Sequence, residues 1–263
     1  MSPIHPTAIV DPAAQIDPSV EIGPHVIIEG PVKIGPRTRV MANSYLCGDT
    51  QIGADNLLHI GVVIGAEPQH LSYKGEPSGV RIGDRNVFRE YVTIHRAYHA
   101  GHFTTVGDGN FIMANCHIGH DCTLGNDNVM ANGSLLGGHV IIENRVVMSG
   151  NVGVHQFARI GQLSMIGGLA RISKDIPPFM LVGDDSAICG LNTIGLRRGG
   201  FDAETREKIK QAYKILYRSN LNVPVAVARI EEELADCKPV MELVEFIRKS
   251  PRGISRHTRH EQE

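Results

Sequence analysis

Residues 16–40 read "IDPSVEIGPHVIIEGPVKIGPRTRV" and carry a branched aliphatic residue at every sixth position. The same spacing continues in phase from Ile4 to Ile172, where 26 of 29 positions are Val, Ile, Leu, Met or Phe. A period of six fits neither an α-helix nor the simple alternation of a strand. It is typical of a short strand and a turn repeated many times, which is the hexapeptide signature of a parallel β-helix.

Glycine follows many of the periodic residues, as at Gly23, Gly35 and Gly53. We expect the aliphatic side chain to point inward and the glycine to give the backbone its freedom at a corner. Three such hexapeptides form one triangular coil in the known hexapeptide proteins, so residues 4–172 form between nine and ten coils. Positions three hexapeptides apart then lie directly above one another, at a spacing of ~4.8 Å.

Two stretches interrupt the repeat without changing its phase. Residues 66–79, "AEPQHLSYKGEPSG", predict a loop extruded from the wall, and residues 96–105, "RAYHAGHFTT", predict a second bulge. After residue 176 the pattern becomes helical over 201–220, 224–237 and 239–250, with Asp202 as an N-cap. We predict a β-helix domain over 1–190, a small α-helical domain over 191–255 and a disordered tail over 256–263.

The composition argues against several classes of protein. The 263 residues carry a formal net charge of −2, so we expect no nucleic-acid partner. The sequence has no long unbroken apolar run and no signal pattern in "MSPIHPTAIVDP", so we expect no transmembrane segment and a cytoplasmic protein. The five cysteines are widely spaced and include no C-x-x-C pair, which predicts free buried thiols.

The motif "NCHIGHDC" at 115–122 draws attention to the histidines. On a regular lattice of three hexapeptides per coil Asp121 lies one coil from His139, so we expect His120, Asp121 and His139 to cluster on the wall with His117 nearby. The same lattice predicts that His99 shares a column with His117, and His102 a column with His120.

Imidazoles beside a carboxylate suit two kinds of chemistry. With a pKa near 6.5, a histidine is suited to general base catalysis at neutral pH, and a neighbouring carboxylate can fix its tautomer. The same histidines could instead bind zinc, which needs three ligands and an open position. A bound metal would distinguish the second possibility from the first.

Motifs along nearly the whole chain resemble the acyl carrier protein-dependent UDP-N-acetylglucosamine O-acyltransferase family, which performs the first step of lipid A synthesis. They include "IHPTAIVDP", "YKGEP", "IGDRNVFRE", "HIGHDC", "VHQF", "GLRRGGF" and "AYKILYRS". The resemblance implies a left-handed parallel β-helix with a C-terminal helical domain, assembled as a homotrimer with active sites between subunits. It also implies acyl carrier protein and a UDP-sugar as substrates, no cofactor and no metal.

The resemblance assigns roles to particular residues. His120 matches the general base and the amide of Gly138 the oxyanion donor. Asp121, adjacent to His120 in sequence, is the candidate for its orienting carboxylate on chemical grounds. Gly168 matches the position that measures the acyl chain. The resemblance implies substrate contacts at the remaining site positions, which here are His117, His139, His155, Gln156, Asn192, Arg198, His70 and Ser72.

The chain departs from the family pattern at several positions that bind the sugar nucleotide in the family. His70 and Ser72 stand where the family usually has aspartate and lysine, Ile194 where it has glutamate, and Gly199 where it has a basic residue. Three alternatives therefore stay open here: acylation of a different UDP-sugar or UDP-amino-sugar, a zinc hydratase of the γ-carbonic anhydrase type, and a non-catalytic hexapeptide scaffold.

Overall fold

Short strands follow the six-residue period, and each coil adds one strand to each of three sheets. The structure, a computed structural model, describes residues 4–183 and 186–258. Its twenty-seven strands within those ranges are numbered β1–β27 in chain order, and its helices α1–α4. All neighbouring strands pair in parallel except the last two, so the three sheets form the faces of a β-helix.

The three faces differ in strand number. Face I is the nine-stranded sheet of β1 (Ile9–Val10), β4 (Ile27–Glu29), β7 (Tyr45–Cys47), β10 (Val63–Ala66), β13 (Thr93–His95), β16 (His117–Ile118), β19 (Leu135–Leu136), β22 (Gly153–Val154) and β25 (Arg171–Ile172). Face II is the eight-stranded sheet of β2 (Gln15–Ile16), β5 (Lys33–Ile34), β8 (Asp49–Ile52), β11 (Gly79–Ile82), β14 (Phe103–Val106), β17 (Thr123–Leu124), β20 (Ile141–Ile142) and β23 (Arg159–Ile160).

Face III closes the triangle with ten strands. It consists of β3 (Glu21–Ile22), β6 (Arg39–Val40), β9 (Leu57–Leu58), β12 (Val87–Phe88), β15 (Phe111–Ile112), β18 (Val129–Met130), β21 (Val147–Met148), β24 (Met165–Ile166), β26 (Met180–Val182) and β27 (Ile188–Leu191). The periodic aliphatic residues, such as Ile28, Leu46 and Ile118, are fully buried between the faces. Their burial supplies the apolar core of the stack.

The regular coil takes three hexapeptides, as the sequence predicts, and His117 therefore pairs with Leu135. Two coils are longer because residues 67–78 and 96–102 leave the wall as loops. Val63 pairs with Thr93 across the first loop, and Thr93 pairs with His117 across the second. These coils exceed the regular length by two hexapeptides and by one, which explains why the aliphatic phase survives both loops.

The prism has three corners, which we name for later use. The His corner, between faces I and II, comprises residues 119–122, 137–140 and 155–158. The helix corner, between faces II and III, comprises 143–146 and 161–164, and the third corner comprises 150–152 and 168–170. Asp121, His139 and Phe157 stack at the His corner with φ values of 58°, 60° and 66°. This left-handed conformation is uncommon outside glycine and turns the chain sharply from one face to the next.

Below the helix corner, buried asparagines form a ladder along the stack. Oδ1 of Asn56 accepts a hydrogen bond from the amide of Asn86 at 2.9 Å, and Asn86 does the same for Asn110. Asn110 then accepts from Asn128, and Asn128 from the amide of Val146. Each amide side chain therefore satisfies a buried backbone donor of the next coil and fixes the register.

The C-terminal region consists of α1 (Thr193–Arg198), α2 (Ala203–Arg218), α3 (Val223–Leu234) and α4 (Lys238–Arg248). The predicted N-cap at Asp202 is confirmed, because its side chain accepts a hydrogen bond from the amide of Thr205 at 2.7 Å. The last three helices bury one apolar face each, with Ile209, Ile230 and Leu243 fully enclosed. None of the described helices is both long and apolar enough to cross a membrane.

Two details differ from the sequence-based expectations. Helix α1 was not among the predicted helices, because its six residues are too few to show a helical period. The tail expected to be disordered from residue 256 is ordered over 256–258, where Ile188 donates its amide to the carbonyl of Arg256 and Tyr213 Oη lies 2.7 Å from Nε2 of His257. The rest of that tail, 259–263, lies outside the described residues.

Candidate active site

His120 and Asp121 form a hydrogen-bonded pair at the His corner. Nδ1 of His120 lies 2.8 Å from Oδ2 of Asp121, and both side chains are almost fully buried. A carboxylate only accepts hydrogen bonds, so Nδ1 carries the proton and Nε2 of the neutral ring keeps its lone pair. The pair therefore has the arrangement of a general base with an orienting carboxylate.

The left-handed backbone of Asp121 explains how neighbouring side chains reach each other. On a regular strand they would point to opposite faces, but the corner returns the carboxylate toward the ring. The backbone amide of Tyr98, from the second loop, donates to Oδ2 of Asp121 at 2.8 Å, and the hydroxyl of Thr104 accepts from the Asp121 amide. The bulge at 96–102 thus holds the carboxylate in place.

His139 lies one coil above the pair, as the regular lattice predicts. Its Nε2 is 3.9 Å from Oδ2 of Asp121, and its ring meets that of His120 edge-on at 5.2 Å. The ring stacks on Phe157 with a centroid separation of 4.5 Å and an interplanar angle of 8°. Burial lowers the pKa of His139, and the Asp121 carboxylate opposes part of that shift. His139 is therefore a neutral, firmly oriented imidazole at neutral pH.

His117 occupies face I beside the corner. Its Nδ1 lies 2.8 Å from the hydroxyl of Thr93, and its ring meets that of His95 edge-on at 5.0 Å. Burial, reinforced by His95 and His120, lowers the pKa of His117 to about 4. His117 thus acts as a neutral hydrogen-bonding group.

The regular lattice fails for His99 but holds for His102, since Thr105 pairs with Thr123 and His102 therefore lies one coil from His120. His99 does not share a column with His117, because the coil there is one hexapeptide longer and Thr93 occupies that position. Instead the bulge brings His99 near His139, with ring centroids 6.3 Å apart, and places Nδ1 of His102 3.9 Å from Oδ1 of Asp121. The second loop therefore adds two imidazoles to the cluster.

A cavity of about 650 Å³ opens in front of His120. Gly138 belongs to its wall, is buried, and donates no backbone hydrogen bond to any described residue. Gly138 lies beside the ring of His120, and an amide without an internal partner is suited to meet an anionic oxygen. Among the predicted site residues the cavity is lined by His70, His117, His120, Gly138, His155 and Gln156.

The first loop contributes one of its two predicted site residues to the cavity. His70 lies against Tyr98, with ring centroids 4.2 Å apart, and meets the ring of His120 edge-on at 5.4 Å. Ser72 is exposed and does not line the cavity; its amide donates to Nδ1 of His70 at 3.3 Å. The loop thus places an imidazole at the cavity, at a position where the family resemblance implies a carboxylate.

Asn192 and Arg198 lie elsewhere on the prism. The buried side chain of Asn192 caps α1 by accepting from Gly195, and its Nδ2 donates to the carbonyl of Leu163 at 2.8 Å. Leu163 belongs to the helix corner, so α1 and the exposed Arg198 are separated from His120 by face II. Within one chain these two predicted residues are therefore not brought to the cavity.

Gly168 lies at the third corner, on the opposite edge of face I from His120 and between two and three coils further along. A Cβ atom added there would approach the carbonyl oxygen of Gly150 to 3.6 Å and Cβ of Ser149 to 3.8 Å, which are ordinary contacts. Its φ is not positive, so the turn itself does not require glycine.

Several residues of the site were not singled out from the sequence. His95 is buried, lines the cavity, and leaves its Nδ1 without a partner among the described residues. Tyr98 and Phe157 position other groups rather than line the cavity. The remaining lining residues that were missed are Gln69, Gly119, Leu135, Leu136, Gly137, Gly153, Val154 and Arg171. Apart from Gln69, each of these lies one coil from another lining residue, which is the signal that could have found them.

The flanking cysteines of the motif belong to the core, as expected. Cys116 and Cys122 are buried, and burial raises the pKa of Cys122 to about 12. A thiol with so high a pKa stays protonated and is a poor nucleophile at neutral pH. The chemistry of "NCHIGHDC" therefore resides in its histidines and aspartate.

A stack of hexapeptide coils with a histidine–aspartate pair at a wall cavity, followed by a small helical region, defines a hexapeptide-repeat acyltransferase. The model of the bacterial transferase hexapeptide (six repeats) matches residues 103–138, and that of UDP-N-acetylglucosamine O-acyltransferase, domain 2, matches residues 175–255. The chain belongs to the UDP-N-acetylglucosamine O-acyltransferase family.

The family membership rests on similarity along almost the whole chain. The acyl-[acyl-carrier-protein]–UDP-N-acetylglucosamine O-acyltransferase of Thermodesulfovibrio yellowstonii is 47% identical over 97% of this chain and 100% of its own length. That of Syntrophobacter fumaroxidans is 48% identical over 96% and 99%. The crystal structure of the UDP-N-acetylglucosamine acyltransferase of Bacteroides fragilis is 44% identical, covers 96% of this chain and 100% of its own, and superposes with a TM-score of 0.93.

These similarities also decide between the expectations drawn from the sequence. The predicted fold class, a left-handed parallel β-helix followed by a small helical part, is confirmed by the structural neighbours. The same relatives do not favour the zinc hydratase, the non-catalytic scaffold or a different acceptor sugar.

Proposed function

We propose that this protein transfers an acyl chain, such as a 3-hydroxyacyl chain, from acyl carrier protein to the 3-hydroxyl of UDP-N-acetylglucosamine. The observation that carries this proposal is the buried pair of His120 and Asp121 at the cavity of a chain from this family. The reaction is the first step of lipid A synthesis. It needs no cofactor, since the acyl chain arrives already activated on its carrier.

The reaction runs in two stages with His120 as the proton carrier. Nε2 of His120 removes the proton of the sugar 3-hydroxyl while that oxygen attacks the thioester carbonyl, forming a C–O bond and a negatively charged tetrahedral oxygen. The C–S bond then breaks, and His120 returns the proton to the leaving thiolate. Asp121 holds the reactive tautomer and stabilises the imidazolium between the stages.

The amide of Gly138 donates a hydrogen bond to the tetrahedral oxygen. The position of Gly138 beside the His120 ring and the lack of a partner for its amide among the described residues support this role. His117 and His139 are neutral at the working pH, so they contact substrate as hydrogen-bonding groups rather than as charges. His155, Gln156 and His70 line the cavity that receives the sugar nucleotide and the acyl carrier. Ser72, exposed in the same loop as His70, is a further substrate contact.

The active enzyme is a homotrimer with sites between subunits. Asn192 and Arg198 lie at the helix corner, whereas His120 lies at the His corner. Only a second copy, packed face to face, brings α1 of one chain to the cavity of its neighbour. Arg198 then supplies a planar set of donors for the phosphates of the nucleotide. Because the proposed substrates are acyl carrier protein and a nucleotide sugar, we infer that the enzyme is cytoplasmic.

A product assay tests the proposal. Purified protein is mixed with 3-hydroxyacyl carrier protein and UDP-N-acetylglucosamine, and the product is identified by mass spectrometry. His120→Ala should lower turnover by about 10²–10⁴-fold, the usual contribution of a positioned general base, with the fold unchanged by circular dichroism. The matched control is His25→Asn, because His25 is an exposed histidine on an early coil and asparagine accepts its positive φ.

The result can contradict the proposal in two ways. A His120→Ala variant within a few-fold of wild type would remove His120 from the role of base. If light scattering shows an active monomer at micromolar concentration, the proposal that the active site is shared between subunits is contradicted.

A further inference from the structure

His120, Asp121, His139 and the histidines of the second loop form a cluster that the acyl transfer does not use in full. One ligand atom from each of His120, Asp121 and His139 lies within 4.8 Å of the other two. A tetrahedral zinc ion with ligands at ~2.0–2.2 Å holds neighbouring ligand atoms about 3.3 Å apart. Movements of an ångström or so in the side chains would therefore bring the three residues into coordination.

His102, near Asp121 but outside this group of three, is the candidate for a fourth ligand. Nδ1 of His102 lies 3.9 Å from Oδ1 of Asp121, and its side chain is 64% exposed and free to turn toward the carboxylate. Because the amide of Tyr98 donates to Oδ2 of Asp121, it orients the carboxylate as outer hydrogen bonds do in metal sites. His99 is not one of the four ligands, but its ring centroid lies 5.5 Å from that of His102.

We propose that this cluster binds Zn²⁺ or a similar divalent transition metal through His102, His120, Asp121 and His139, and that the ion reversibly inhibits the enzyme. Three imidazoles and one carboxylate suit zinc, nickel and copper but not magnesium or calcium, which prefer oxygen ligands. All four ligands come from one chain, so the site does not depend on the trimer.

The inhibition follows from the tautomer of His120 and rests on its proposed role as general base. At rest Nδ1 carries the proton donated to Asp121, and Nε2 is the free acceptor. A metal bound at Nδ1 uses the lone pair of Nδ1. The single proton of the neutral ring must then sit on Nε2. The ring can then no longer accept the proton of the sugar hydroxyl, although the cavity stays open.

Calorimetry with zinc chloride alone tests the site on the full-length protein without substrates. We expect one zinc per chain, no binding of magnesium, and weaker binding in His102→Gln by at least about tenfold, which even outer partners contribute in metal sites. His25→Asn serves as the control with wild-type affinity. An absence of stoichiometric binding, or equal affinity in His102→Gln and wild type, would overturn the proposal.

Activity provides the second readout. Zinc should inhibit the wild type, chelation should reverse it, and His102→Gln should keep its basal rate while needing about tenfold more zinc for the same inhibition. Zinc binding that leaves the rate unchanged would overturn the inhibitory role. A protein that binds zinc but transfers no acyl chain would instead contradict the proposed function and leave the site standing.

Discussion

A Cβ atom on Gly138 would lie 2.5 Å from Cε1 and 2.6 Å from Nε2 of His120. Carbon atoms do not approach this closely, so any side chain at position 138 must displace the imidazole. The φ of Gly138 is not positive, and the turn alone would accept alanine. Glycine is therefore needed here for the position of the His120 ring and not for the backbone.

We predict that Gly138→Ala lowers kcat by about 10²-fold, because a misplacement of about 1 Å costs that much in a positioned site. The melting temperature should change little, since the backbone tolerates alanine. Gly190→Ala is the matched control, because a Cβ atom there meets nothing within 4 Å. A Gly138→Ala variant with wild-type kcat would show that His120 has room to move without loss.

Asp121→Asn should keep the fold and lose activity. Asparagine accepts the left-handed φ of 58° and can still accept from Nδ1 of His120, but it lacks the charge that stabilises the imidazolium. We expect kcat to fall by at least about 10²-fold, within the range for removing acid–base assistance. Asp127→Asn, at an exposed corner with a φ of 56°, controls for the backbone. Comparable rates for Asp121→Asn and wild type would remove the carboxylate from the mechanism.

The low pKa of His117 predicts an acid-sensitive fold. The pKa is about 4 in the native chain and near 6.5 when unfolded, so between these values the unfolded state binds more protons. Stability therefore falls as the pH drops from about 6.5 toward 4. Urea unfolding midpoints across this range should show a smaller loss for His117→Gln than for wild type, while His25→Asn keeps the wild-type slope. An identical slope for His117→Gln would mean that His117 is protonated in the native state.

Arg198→Ala should weaken substrate binding more than it slows the chemical step. The phosphates of a nucleotide sugar carry the same charge in the ground and transition states, so the loss appears mainly in KM. Steady-state kinetics with varied UDP-N-acetylglucosamine measures the effect, with the equally exposed Arg197→Ala as the neighbouring control. An unchanged KM would mean that other residues, such as Arg171 at the cavity, bind the phosphates.

Gly168→Met should shift the enzyme toward shorter acyl donors. The position lies at the edge of face I, its φ is not positive, and a side chain there meets only ordinary contacts. Methionine would fill the space of about three or four methylenes, each worth ~0.8 kcal/mol when buried. Rates over a series of acyl carrier protein donors, with Gly168→Ala as an intermediate, test this. Equal losses at every chain length would refute a role in measuring the chain.

The fold could be predicted almost entirely from the sequence, because each coil repeats one short rule. Aliphatic residues such as Ile22 and Ile118 occupy equivalent places whatever their neighbours are. Helix α1 was missed because six residues carry no periodic signal, and residues 256–258 are ordered through tertiary contacts such as that of Tyr213 with His257. A local sequence pattern does not predict contacts between residues that are far apart in the chain.

The site was predicted less completely, for reasons of geometry. The regular lattice correctly brings Asp121 to His139, but it misplaces His99 because the second loop adds one hexapeptide to a coil. The contact between His120 and Asp121 depends on a left-handed residue, which a strand pattern does not reveal. The separation of Asn192 from His120 depends on which corner α1 packs against, and the family resemblance alone does not give that for one chain.

The pairing of each coil with the coil before it has a consequence for synthesis of the chain. At ~5–20 residues per second, a ribosome delivers a regular coil in about 1–4 s. Each newly made coil pairs with the coil that precedes it, as Leu135 pairs with His117. Its backbone hydrogen bonds to that coil therefore require no residue that is still to be translated. Folding can then keep pace with translation, with the asparagines setting the register of each added layer. The longest waits fall at the two extruded loops, where the growing edge stays open until Thr93 and then His117 have been made.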